Sequence, residues 1–239
     1  MFGYYFDPTY LLVLIGALLC IWASSRVNST YRKYSKVRSC SGMTGAEAAR
    51  RILQMSGIYD VPVQHVSGEL TDHYDPSKKV LNLSDSVYGS TSVAAIGVAA
   101  HECGHALQHK EGYLPLKIRS ALVPAANIGS RLGLPIVILG MILGIGFNLP
   151  DGGYFSLAQI GVWVFSLAVL FQIVTLPVEF DASGRALNML GSYGLMNQGE
   201  IKDCKRVLSA AALTYVAAAA SSILQLLRLV LLTGRRRDD

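Results

Sequence analysis

Two long apolar runs, separated by a few polar residues, constrain this chain more than anything else in it. They are LGLPIVILGMILGIGFNL at 132–149 and YFSLAQIGVWVFSLAVLFQIVTL at 154–176. Each comes close to or exceeds the roughly 20 apolar residues that a helix needs to cross a bilayer core. Lipid offers no partner to a backbone N–H or C=O, so a spanning run has to be helical. The break between them is PDGG, and the pair is therefore predicted to form a transmembrane helical hairpin over 132–176. Earlier in the chain, and so the first of four runs in chain order, YLLVLIGALLCIWASS at 10–25 reaches spanning length with the residues before it and predicts an anchor over 8–25. A fourth, VLSAAALTYVAAAASSILQLL at 207–227, is rich in alanine and serine. The segment 207–233 is read as a span or a half-buried helix packed on protein. Composition agrees: 51% of residues are hydrophobic and 15% charged, against about 25% charged in soluble domains.

The cations orient the runs. RVNSTYRKYSKVR, after the first run, holds five cations and no acid, which assigns that end to the cytoplasm. A cleaved signal peptide is the alternative, but it carries its charges before the apolar run. Lys110, Lys117, Arg119 and Arg131 precede the hairpin, and its turn carries only Asp151. The fourth run has cations on both sides, including RRR at 235–237, so the rule cannot orient it. No basic stripe interleaves with aromatics, so no nucleic-acid partner is expected, and anionic lipid headgroups account for the clusters. The four cysteines form no CxxC pair, which fits reduced thiols.

Between the first two runs the pattern is that of a small α+β unit, taken as a cytoplasmic domain over 26–131. MTGAEAARRILQMSG reads as a short helix, with Thr44 and Glu47 as a capping box and Gly57 as its stop. VPVQHVSG and KKVLNLS read as strands with DPS among the turn residues, and SVAAIGVAAHECGHALQHK as a long helix.

That helix carries the chemistry. Histidines four apart lie one above the other on one helical face and can share one zinc ion. In HECGH they are His101 and His105. Glu102, one step on, is rotated aside and suits a general base. Apolar residues and glycine precede the motif, and burying two histidines and a glutamate without partners is costly. His109 lies about 12 Å along the axis from His101, too far to share that ion. Cys103 projects from another face. A catalytic zinc keeps three protein ligands and one open position. The third candidate stands in LPVEFDASGRAL at 176–187, where Glu179 follows the third run and shares a helical face with Ser183.

These segments together resemble the YugP-type membrane zinc metallopeptidases, the neutral zinc metallopeptidase family. DHYDPSKKVLNLS, AAHECGHALQH, LPVEFDAS and AALTYVAAA carry the resemblance, with the N-terminal anchor. More distantly, the chain is similar to gluzincin membrane peptidases of the heat-shock quality-control and prenyl-protein type. Those pair HExxH with a glutamate in E-x-x-A-D. Laid on this chain that glutamate is Glu179 and the alanine Ala182, but Ser183 stands where those enzymes place aspartate. There the aspartate supports a histidine ligand; here Ser183 or Asp181 is left to do so.

The resemblance implies a membrane-embedded zinc endopeptidase of gluzincin type. His101, His105 and Glu179 would hold one Zn2+, and Glu102 would move the proton. The expected fold is mainly α: three to four transmembrane helices with a small α+β zincin-like catalytic domain, and a cytoplasmic segment over 177–206 bearing the third ligand. Tyr215, His73 and Arg185 are candidate transition-state donors, and the strand around KVLNLS is expected to take up an extended substrate at its edge. Expected partners are membrane lipid and membrane-protein or juxtamembrane peptide substrates, with a regulatory membrane partner or a homo-oligomer left open. The expected location is the bacterial plasma membrane, with the site facing the cytoplasm. A catalytically silent zinc scaffold is the alternative. A transporter is disfavoured, since neither 132–149 nor 154–176 carries a charge.

Overall fold

A computed structural model describes residues 7–148 and 154–234. The chain divides into two compact units: Ala23–Lys117 with Leu176–Thr214, and Met1–Trp22 with Ile118–Thr175 and Tyr215–Asp239.

The unit built from 23–117 and 176–214 begins with the C-terminal part of α1 (Tyr10–Tyr34). α2 follows at Gly45–Met55. Its start is locally encoded: the Thr44 hydroxyl accepts from the Glu47 backbone N–H, and the Glu47 carboxylate accepts from that of Thr44. Such a cap stabilises by about 1 kcal/mol. Gly57, at φ +67°, turns the chain away. Three strands form one sheet: β1 (Val63–Val66), β2 (His73–Asp75) and β3 (Val80–Ser84), in the order β1-β3-β2. β3 runs parallel to β1 and antiparallel to β2. The sequence pattern shows β1 and β3 but not β2, which has no apolar alternation. A short helix, α3 (Asp85–Tyr88), leads to α4 (Val93–Glu111). The Ser92 hydroxyl caps the N-terminus of α4, and Gly112, in the left-handed region at φ +66°, ends it. The core joins Ile52 of α2, Leu81 and Leu83 of β3, and Ile96 and Cys103 of α4. Leu190 of α6 (Leu157–Ser192) and Leu208 of α7 (Gln198–Gly234) complete it. Burying each large side chain contributes about 1.5–3 kcal/mol.

The sheet order corrects one expectation. KVLNLS lies in the central strand, with β1 and β2 occupying both its sides. A strand paired on both sides has no free N–H and C=O row for a substrate to join. Leu81 and Leu83 are fully buried, and a strand that apolar belongs in the middle of its sheet.

The other unit holds the apolar lengths of the helices. α5 spans Leu114–Leu143 and α6 begins at Leu157. Two short antiparallel strands, β4 (Gly146–Asn148) and β5 (Tyr154–Ser156), join the helices where a bare turn was expected. PDGG itself, like RRR at 235–237, lies outside the described residues. α5 and α6 meet through small residues: a Cβ at Gly129 would stand 2.6 Å from the Val164 carbonyl oxygen, and one at Gly133 2.7 Å from Phe165 Cβ. That close approach is how helices associate in lipid. The rest of their surface stays apolar and open, with Ile142 73% and Trp163 68% exposed. Among the described residues, α1, α5, α6 and α7 are long and apolar enough to cross a membrane. Helices of this kind bury their outer faces in lipid.

Candidate metal centre and active site

His101, Glu102 and His105 stand on α4 and Glu179 on α6, within one unit. Gly104 brings the two helices together. A Cβ at that position would lie 2.5 Å from the Ala182 carbonyl oxygen, so any other residue would push α6 away. With glycine there, Glu179 reaches both histidines. His101 Nε2 lies 3.3 Å and His105 Nε2 3.6 Å from Glu179 Oε2. The ligand-type atoms of all three residues lie within 4.8 Å of one another. Their side chains are 15%, 12% and 3% exposed.

These spacings suit zinc. Two ligands each about 2.0–2.1 Å from a tetrahedral ion stand about 3.3–3.4 Å apart. The hydrogen bonds behind the ligands support the same reading. Gln108 is fully buried, and its Nε2 donates to the Val178 carbonyl and to Asp181 Oδ2, at 2.8 and 2.7 Å. Both partners only accept, which fixes the amide's orientation. Gln108 Oε1 is then the acceptor for His105 Nδ1–H, 3.0 Å away. With Nδ1 turned to Gln108, His105 Nε2 faces the Glu179 carboxylate, where a proton or a metal ion would satisfy both. His101 Nδ1 is held in turn by Ser183 Oγ at 3.1 Å. Histidine ligands of metals are held by such partners on the far ring nitrogen.

The electrostatics agree. Burial disfavours the charged form of His105, yet the Glu179 and Glu102 carboxylates outweigh it and raise its pKa. Glu179 lies beyond the apolar run. Burial would raise its pKa, but His101 and His105 hold the carboxyl well below the usual range. The cluster thus favours positive charge, which a proton or a metal ion supplies.

Glu102 is buried beside them, and its Oε2 accepts from the Tyr74 backbone N–H of β2 at 2.9 Å. β2, the strand that the pattern hid, therefore orients the candidate base. Asp181 touches no histidine directly; it acts through Gln108 and also accepts from Arg185 Nε. Arg185 donates to Glu111 as well and lies over the Tyr113 ring. His73 uses both ring nitrogens locally, on the Thr71 carbonyl and the Asn82 amide. Tyr215 is half-buried on α7 and belongs to the other unit. His109 Nδ1 pairs with the Tyr74 hydroxyl at 2.7 Å, and Cys103 is buried against Ala49. Gln108 and Gly104 are the two contributors that sequence reasoning passed over. Gln108 had a signal: it lies three residues after His105 in a helix otherwise built of small apolar residues.

A family described as "Putative neutral zinc metallopeptidase" matches residues 9–234. "Putative membrane protease YugP" of Bacillus subtilis (strain 168) is 47% identical over 231 residues, which cover 96% of this chain and 99% of that protein. No solved structure matches the chain.

Proposed function

The chain belongs to the neutral zinc metallopeptidase family, and from that premise we propose that it is a membrane-embedded zinc endopeptidase of gluzincin type. One observation carries the reading: two histidine Nε2 atoms and the Glu179 carboxylate converge while the far ring nitrogens are tied to Gln108 and Ser183. His101, His105 and Glu179 would hold the ion, within a small zincin-like catalytic domain. Zinc, when bound, supplies Lewis acidity that lowers the pKa of a coordinated water to about 7 and polarises the scissile carbonyl. Glu102 takes the proton of the attacking water on its carboxylate and passes it to the leaving amine. The Tyr74 N–H holds one Glu102 oxygen and leaves the other for the water. Tyr215, His73 and Arg185 are the candidate transition-state donors, and Tyr215 is the first to be tested. Tyr215→Phe is expected to slow turnover with zinc retained, and unchanged turnover removes it.

Glu179 follows an apolar run by three residues, and cations mark that end as cytoplasmic. The chain would then span the plasma membrane several times and act on juxtamembrane segments at the inner surface. Cleavage of such segments but not of soluble casein is expected; equal rates on both would count against it. The deciding experiment compares purified wild type, Glu179→Ala and Glu102→Gln. The wild type should carry about one zinc per chain. Glu179→Ala should lose it, while Glu102→Gln should keep it and lose cleavage by roughly 10²–10⁴-fold. Zinc without cleavage in the wild type would favour the silent scaffold. No zinc in any of the three would end the peptidase reading.

A further inference from the structure

A cavity unrelated to the metal centre lies in the unit built from 23–117 and 176–214. It has a volume of about 820 Å3 and opens between the basic end of α1 and the start of α7. Arg26, Lys33, Lys202, Lys205 and Arg206 line it. Among the described residues, the ion pair formed by these cations is Arg206 with Asp203, at 2.7 Å. Arg206 also donates to the Tyr34 hydroxyl at 3.1 Å, which ties the two helices together. Thr30 and Ser209 add hydroxyls, and Ala210 and Leu213 add apolar surface. Cations that merely mark a membrane end need not converge. Here two sequence-distant segments bring five of them to one concavity, a shape and charge that suit an anion.

We propose that this cavity binds the phosphate headgroup of an anionic phospholipid. Arg26 directly follows the apolar run 10–25, and Arg206 directly precedes the run 207–227. Both sets of cations therefore stand where spanning helices meet headgroups. The hydroxyls hydrogen-bond phosphate oxygens, and Leu213 lies against the first carbons of the chains. A free phosphate ion would share the cations but has no use for the apolar side. The site is independent of the peptidase reading.

The test is native mass spectrometry of the detergent-purified full chain, titrated with phosphatidylglycerol, phosphatidylcholine or inorganic phosphate. One phosphatidylglycerol should be retained, roughly tenfold more tightly than phosphatidylcholine. Lys33→Gln/Lys202→Gln/Lys205→Gln should weaken it by roughly tenfold or more, and the corresponding triple lysine-to-arginine variant should restore it. Arg32→Gln/Lys36→Gln/Arg38→Gln removes the same charge from the basic stretch that holds Lys33, outside the cavity, and should leave binding unchanged. An equal loss in both glutamine triples would reduce the effect to general surface attraction and overturn the proposal. Displacement of the lipid by equimolar inorganic phosphate would overturn the lipid assignment. An unchanged elution volume and thermal unfolding certify each variant's fold; if the glutamine triple aggregates, Lys205→Gln alone is read, and unchanged binding there also overturns the proposal.

Discussion

The Glu-x-x-Ala-Asp pattern, laid on this chain, has an aspartate at its last position, and no aspartate stands there. Ser183 stands at that position and holds His101, while Asp181 reaches His105 only through the Gln108 amide. Replacing Gln108 with Ala should therefore leave His105 in place but free to rotate and change tautomer. Zinc affinity is expected to fall by about 10–100-fold, measured by competition with a chromogenic chelator. Ser183→Ala should act in the same direction on His101. If both variants bound zinc as the wild type does, the hydrogen bonds behind the histidines would be incidental. The histidine pair, Glu102 and Glu179 were legible in the sequence, because helix periodicity places i and i+4 together and a carboxylate beside an apolar run stands out. The Gln108 bridge was not, because its partners are about 70 residues away in the chain.

α4 and α6 meet at Gly104, and that contact gives the most direct test of how helices assemble this centre. Gly104→Ala places a methyl group against the Ala182 carbonyl. Overpacking of this kind costs about 1–3 kcal/mol, and here it also moves Glu179 away from the histidines. Thermal unfolding in detergent should shift down, and zinc content should fall more steeply than stability. A fully loaded, normally stable Gly104→Ala protein would mean that α6 can shift without cost. By contrast, Thr44→Ala should destabilise by about 1 kcal/mol through the lost cap of α2, with zinc content unchanged. That cap, the stop at Gly57 and the limits of α4 could be read from local residues. β2 could not: it has three residues, no alternation, and exists because β3 offers it an edge.

For the chain as a whole, the apolar helices make a prediction of their own. The protein should stay with the membrane fraction through an alkaline carbonate wash and be released by detergent; release by carbonate alone would refute spanning. Cys40 is the exposed cysteine among the four, and it lies two residues beyond the basic stretch that follows the first run. A membrane-impermeant thiol reagent should label it in lysed but not in intact cells if that stretch faces the cytoplasm, and labelling in intact cells would reverse the orientation.

The sequence alone determined the long helices, though not β2 or the β4–β5 pair. Apolar runs of bilayer length must be helices because lipid leaves their backbone no other partner, and a helix that buries two histidines and a glutamate must supply partners for them. Only the tertiary structure decided which strand is central, which glycine admits a neighbouring helix, and how an amide bridges Asp181 to His105. Those depend on contacts between residues far apart in the chain, and no local periodicity records such contacts.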